Sequence, residues 1–126
     1  MKVLRSGGCG NSPKNKMCED FVVAFMTSDR QTLEALAAED LLWRRPGTKE
    51  VGSRKDVLQP SRRWDFPASA VLEIERVVSH GRSGAVSGRI LHRGRVVAEF
   101  CQLLDFTNLK CERVQSITSY LVEADH

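Results

Sequence analysis

The side chains best equipped for chemistry in this sequence are its arginines. Thirteen are present, and ten of them fall between Arg44 and Arg95. A guanidinium fork binds carboxylates and phosphates bidentately, so a concentration of arginine marks candidate anion sites. Residues 1–16 carry +4, residues 17–43 carry −5, residues 44–95 carry +7 and residues 96–126 carry −3, against a net charge of only +3. The central block admits three readings: a nucleic-acid footprint, a pocket for an acidic ligand, or strand and loop arginines facing water. Arg62-Arg63-Trp64, in a loop bounded by Pro60 and Pro67, interleaves cations with an aromatic ring. That arrangement suits a nucleic acid or the mouth of a pocket. The acidic stretch before the block opposes an extended phosphate-binding face, so no nucleic-acid partner is expected.

Other reactive groups are scattered. Cys9, Cys18, Cys101 and Cys111 form no C-x-x-C pair and have no histidine at ligand spacing, so no metal site is expected. Reduced thiols suit a domain of this size better than a disulfide framework. Gly7-Gly8-Cys9-Gly10 follows no strand and precedes no G-K-[ST], so it is not a phosphate loop, and no cofactor is expected. His80 and His92 fall at turns, where they are solvated side chains or, less simply, general bases. Asp105 is the strand carboxylate closest to the candidate site described below, and alternation puts it on the face opposite Gln102.

The chain that must position these groups has 126 residues, 41% of them hydrophobic and 28% charged. This is ordinary globular composition, long enough for one core and too structured in pattern for wholesale disorder. No apolar run approaches the ~18 residues of a membrane span, and Met1 to Arg5 recharges too soon for a secretory leader, so the expectation is a cytoplasmic protein. Residues 1–15, rich in Gly, Ser, Asn and Lys, read as a flexible N-terminal tail before a single domain over 16–126.

From about Lys16, Phe21, Val22, Phe25 and Met26 make an apolar helical stripe. Ser28-Asp29 interrupts it and caps a second helix, with Leu33, Leu36 and Ala37 on one face and an end near Glu39-Asp40. Residues 41–45 read as a short strand stopped by Pro46-Gly47, and a short helix from the Ser53 cap reaches Leu58. Strands follow over 70–79, 84–92, 95–106 and 111–122, with turns at His80-Gly81-Arg82 and Arg93-Gly94. Helices first and an antiparallel meander afterwards define an α+β class. Alternation groups Ala85, Ser87, Arg89 and Leu91 on one face, and Ala98, Phe100, Gln102 and Leu104 on one face of the partner strand. Period alone does not say which face is inside.

The run from Phe21 to Gly47, which contains two helices, an acidic residue, an apolar strand with Trp43 and then Pro46-Gly47, resembles the opening of the SnoaL-like polyketide cyclases. It is equally similar to the wider nuclear transport factor 2-like superfamily, with ketosteroid isomerase and limonene epoxide hydrolase. Val77-Val78, Ala85 to Arg89 and Val114 to Tyr120 are similar to the later strands of these proteins, so the resemblance spans about residues 16–124. It implies a cone-shaped fold in which a curved antiparallel sheet and N-terminal helices enclose a central pocket (a cystatin-like architecture), and a homodimer formed sheet to sheet. The pocket-facing set it implies is Phe21, Trp43, Arg45, Arg89, Phe100, Gln102, Ser119 and Leu121.

Set on the same pattern, the known chemistries lack their acids here. Arg45 stands where ketosteroid isomerase keeps its carboxylate base, Phe21 where it keeps a tyrosine, and Gln102 where it keeps a protonated aspartic acid. Arg89 fits the arginine of the epoxide hydrolase, but Leu91 and Ser119 replace its two carboxylates. The expected function is therefore a small-molecule-binding domain with an enclosed apolar pocket, whose arginines suit a carboxylate-bearing ligand unless they pair with Glu99 or Asp105. Gln102 would orient that ligand or satisfy a buried backbone group. The alternatives are an isomerase, cyclase or hydrolase with a non-standard catalytic set, and an interaction module using the exposed sheet face.

Overall fold

The computed structural model describes residues 1–7, 12–60 and 64–124. Along the chain these form β1 (Lys2–Leu4), α1 (Pro13–Thr27), α2 (Arg30–Leu36), β2 (Ala37–Arg44), β3 (Val51–Ser53), α3 (Arg54–Leu58), β4 (Val71–His80), β5 (Ser83–His92), β6 (Arg95–Phe106) and β7 (Val114–Glu123). The helices begin where the sequence supplies caps. Ser12 Oγ accepts the Asn15 N–H at 3.2 Å with Pro13 behind it, and Asp29 accepts the Thr32 N–H at 3.2 Å. Between the two, Ser28 adopts a left-handed conformation (φ 62°) that ends α1 and reverses the chain.

All seven strands form one sheet in the order β1-β4-β5-β6-β7-β2-β3. The meander β4 to β7 is antiparallel, whereas β1 joins β4 and β2 joins β7 in parallel. Register slips between Ile74 and Arg76, between Ile90 and Leu91, and between Asp105 and Phe106 interrupt the long ladders. Bulges of this kind bend strands and increase their twist, which curves the sheet around the helices. Phe21, Val22 and Phe25 of α1 are buried with Leu72, Ile74, Val86, Ile90, Phe100 and Leu104 of the sheet. No helix among the described residues is long and apolar enough to cross a membrane.

Three sequence-based boundaries are corrected. Residues 1–15 are not a tail throughout, because β1 pairs with β4, Met1 and Val3 pack against the core, and α1 already begins at Pro13. Arg5 ties this segment to α1 by bonding Asp20 at 2.8 Å, and the Ser6 N–H donates to the buried Glu19 at 2.9 Å. Burial pushes the Asp20 carboxyl up, but hydrogen bonds and charge from Lys16 and Arg5 outweigh it and hold the group below its usual value. The second helix ends at Leu36, and Ala37 is already extended, so the strand carrying Trp43 is longer than expected. The last strand starts at Val114, because Cys111 has a left-handed backbone (φ 56°) that no strand accommodates.

Candidate functional site

Hairpin register decides which side chains meet inside. Gly88 faces Phe100, Val86 faces Gln102, Gln102 faces Ser119, and Phe100 faces Leu121. Trp43 on β2 faces Ile117 on β7, which brings it beside Ser119. Trp43, Phe100, Gln102 and Ser119 are all buried, and Leu121 is half-buried against the same core. Phe21 is buried in that core from α1. Six of the eight sequence-predicted pocket residues therefore share the inner side of the sheet.

Their polar atoms form a short chain. Trp43 Nε1–H donates to Ser119 Oγ at 2.9 Å, and the Ser119 hydroxyl donates onward to Gln102 Oε1. An indole N–H can only donate, so the one Ser119 proton is directed to Gln102 and fixes which end of the amide faces Ser119. Gln102 Nε2 then points away from the pair, fully buried and without an acceptor among the described residues. Around this chain four rings make contact: Phe25 meets Trp43 edge-on at 5.4 Å and Trp64 at 6.0 Å, and Trp64 meets Phe100 at 6.0 Å.

The two arginines separate. Arg45, just beyond β2, stacks over the Trp43 ring at 4.5 Å and donates to Glu50 at 2.7 Å, so it closes the rim of the cluster with its charge compensated. Arg89 is not in the interior at all. It pairs in register with Glu99, on the outer face, and its Nε donates to Glu73 at 3.1 Å. The cause is one residue. His92 pairs with Arg95 across a turn whose two residues both have positive φ, a register that would set Arg89 opposite Ala98. The slip at Val97 moves the pairing by one and turns Arg89 outward.

Asp105 is on the outer face as expected, accepting hydroxyl hydrogen bonds from Ser83 at 2.7 Å and Ser116 at 2.9 Å. His92 bonds Ser69 at the surface, and His80 is exposed. Arg62, Arg63 and Cys9 lie outside the described residues, while Cys18, Cys101 and Cys111 form no disulfide with one another. Among the described residues no group of three or more His, Cys, Asp or Glu could hold a metal. The sequence-based pocket set lacks Phe25 and Trp64. Phe25 was legible as the next turn of the Phe21 stripe, whereas nothing in the Pro-bounded loop says that Trp64 folds inward.

No protein-family model matches the sequence, and no curated protein matches it closely enough to count as a relative. Solved structures do. A provisionally named ketosteroid isomerase from Kribbella flavida aligns over 90% of this chain and 80% of its own, with a TM-score of 0.70 at 21% identity. An NTF2-like protein of unknown function from Burkholderia xenovorans covers 94% of this chain and 90% of its own, with a TM-score of 0.68 at 18% identity. A provisionally named SnoaL-like polyketide cyclase from Shewanella denitrificans covers 89% and 92%, with a TM-score of 0.67 at 13% identity. At these identities the likeness is one of architecture, and the chain has the fold shared by the nuclear transport factor 2-like and SnoaL-like proteins.

Proposed function

We propose that this chain is a small-molecule-binding domain whose ligand is flat, largely apolar, neutral, and anchored through one acceptor oxygen by the Gln102 amide. The observation that carries this reading is Gln102 Nε2, a buried donor held in place through Ser119 and Trp43 with no acceptor among the described residues. An unsatisfied buried donor costs about 1–3 kcal/mol, a cost that a ligand carbonyl would relieve. The rings packed around the amide are aromatic, which suits a flat partner inserted among them. Neutrality follows from the charges: the buried polar side chains among the described residues are Glu19, Gln102 and Ser119, and Glu19 is engaged by Arg5 and Ser6. An anionic ligand loses its main support with Arg89 on the outer face. The ligand enters by displacing the Trp64 indole, which is half-buried and belongs to no helix or strand.

The test is a thermal-shift and tryptophan-fluorescence screen of bicyclic aromatic aldehydes and ketones, each beside its parent hydrocarbon. Wild type should favour the carbonyl compounds over the hydrocarbons, with a change in Trp emission. Gln102→Leu should bind them about tenfold more weakly, the worth of one buried hydrogen bond. The substitution itself should leave stability within ~1 kcal/mol, because removing the orphan donor offsets the acceptor lost to Ser119. Equal preference for hydrocarbon and carbonyl, or hits that survive Gln102→Leu, would refute the reading.

A further inference from the structure

At one end of the sheet, β4 turns into β5 and β6 crosses to β7, and the loops there hold one apolar side chain out in water. The Cys111 N–H donates to the Asn108 carbonyl at 3.1 Å, which makes Leu109 and Lys110 the two corner residues of a tight turn. Such corners commonly go to Gly, Pro, Asn, Asp or Ser, each for a conformational reason that leucine does not share. Leu109 is nevertheless 66% exposed. The turn is braced. Cys111 closes it in a left-handed conformation (φ 56°) that disfavours any residue but glycine, and its buried thiol lies 3.7 Å from the Gly81 carbonyl oxygen and 3.8 Å from that of Leu109. The Asn108 amide bonds the Glu112 carboxylate at 2.9 Å and accepts the Glu112 N–H at 3.4 Å. The Phe106 N–H donates to the Arg82 carbonyl at 2.7 Å, which ties the β4–β5 turn to the same assembly.

Cations surround this leucine. Arg82, Thr107, Asn108, Leu109, Lys110 and Glu112 line a depression of about 640 Å³ between the two loops. Arg113 is exposed further along the β6–β7 loop, and Lys14 reaches the same end by donating to the Gly81 carbonyl at 3.3 Å. None of these four cations forms an ion pair among the described residues. The carboxylates at this end are held on neutral donors instead. Glu112 accepts from the Asn108 amide, Asp105 from the Ser83 and Ser116 hydroxyls, and Asp40 from the Gln115 amide. An apolar corner with unpaired cations beside it matches a surface that is anionic outside and apolar beneath.

We infer that this end of the sheet docks reversibly on an anionic lipid surface, with Leu109 entering the headgroup layer and Arg82, Lys110 and Arg113 against the lipid phosphates. Its size and chemistry favour a bilayer over a macromolecule. One apolar side chain on a turn corner is far short of the ~800 Å² per partner that a stable protein interface buries. A fluid headgroup layer, in contrast, closes around a single protruding side chain. Among the described residues no ring lines the depression to stack a nucleic-acid base. The docking is independent of what the interior binds.

Co-sedimentation of the full chain with vesicles tests this, using phosphatidylcholine alone and phosphatidylcholine mixed with phosphatidylglycerol, at low and high salt. Far-UV circular dichroism confirms that each variant is folded. Wild type should bind the mixed vesicles, ignore the neutral ones and be released by salt. Lys110→Gln and Arg82→Gln should each weaken binding about fivefold, the worth of one cation near such a surface. Leu109→Ser should weaken it about tenfold and leave the salt dependence unchanged, because burial is lost and charge is not. Lys49→Gln, which removes an equal charge from the loop after β2, should bind like wild type. A wild type indifferent to phosphatidylglycerol, or a Lys49→Gln loss equal to that of Lys110→Gln, would overturn the inference. So would undiminished binding by Leu109→Ser, which would mean attraction by charge alone with no inserted corner.

Discussion

The two faces of β5 are made from one run of ten residues and obey opposite rules. Inward lie Gly84, Val86, Gly88 and Ile90, outward Ala85, Ser87, Arg89 and Leu91. The inner face is governed by how closely other elements approach it, so that two of its four positions are glycine. The outer face carries a charge, a hydroxyl and two apolar side chains, each half-buried, with Arg89 paired to Glu73. Shape is therefore specified tightly on one side of the strand and loosely on the other. Substitutions matched across the two faces should separate these rules.

The largest effect is expected at Gly88. A Cβ there would sit 2.2 Å from the Glu73 carbonyl oxygen and 2.9 Å from Phe100 Cζ. The first of these is backbone of the neighbouring strand, so relief means parting β4 from β5 rather than turning a side chain. Gly88→Ala should lose about 3 kcal/mol, the upper end of overpacking costs. Ser87→Ala, one residue away on the other face, should stay within ~0.5 kcal/mol in the same urea titration. Similar values for both would mean that the sheet yields equally on its two sides.

Gly84 gives a smaller effect and a route to rescue. Its added Cβ would meet Cys18 Sγ at 2.4 Å, where α1 crosses the end of β5. Gly84→Ala should cost about 1–3 kcal/mol, and Cys18→Ala in the same chain should return part of it as a coupling of about 1 kcal/mol. Additive losses would show that the helix does not rest on this glycine.

What the sequence made legible follows the same division. The stripe Phe21, Val22, Phe25 and the caps Asp29 and Ser53 are local signals, and each element they announce is present. The meander and its Arg93-Gly94 turn are legible for the same reason: a two-residue turn with both φ positive states its own hairpin. Gln102, Ser119 and Trp43 could be brought together only through resemblance, because they stand on three strands and meet across 76 residues of chain. Arg89 was misplaced because the bulge at Val97 has no signature. Val96-Val97 reads like any strand interior, and a one-residue slip reverses every side chain beyond it. The parallel joining of β2 to β7 was equally hidden, since pairing partners distant in sequence leave no local trace.

The smallest effect, and the one that discriminates best between the two faces, belongs to Arg89. Its ion pair with Glu73 joins side chains that are 37% and 28% exposed, so water screens much of the attraction. Arg89→Ala should change stability by no more than ~1 kcal/mol, and less at high salt, as exposed pairs do. More tellingly, every carbonyl compound that binds wild type should bind Arg89→Ala with unchanged affinity, because the sheet itself stands between this guanidinium and Gln102. A tenfold loss on Arg89→Ala beside an intact Gln102→Leu would require the ligand on the outer side of β5. That outcome would return the arginine to the site and make the inner amide a structural group.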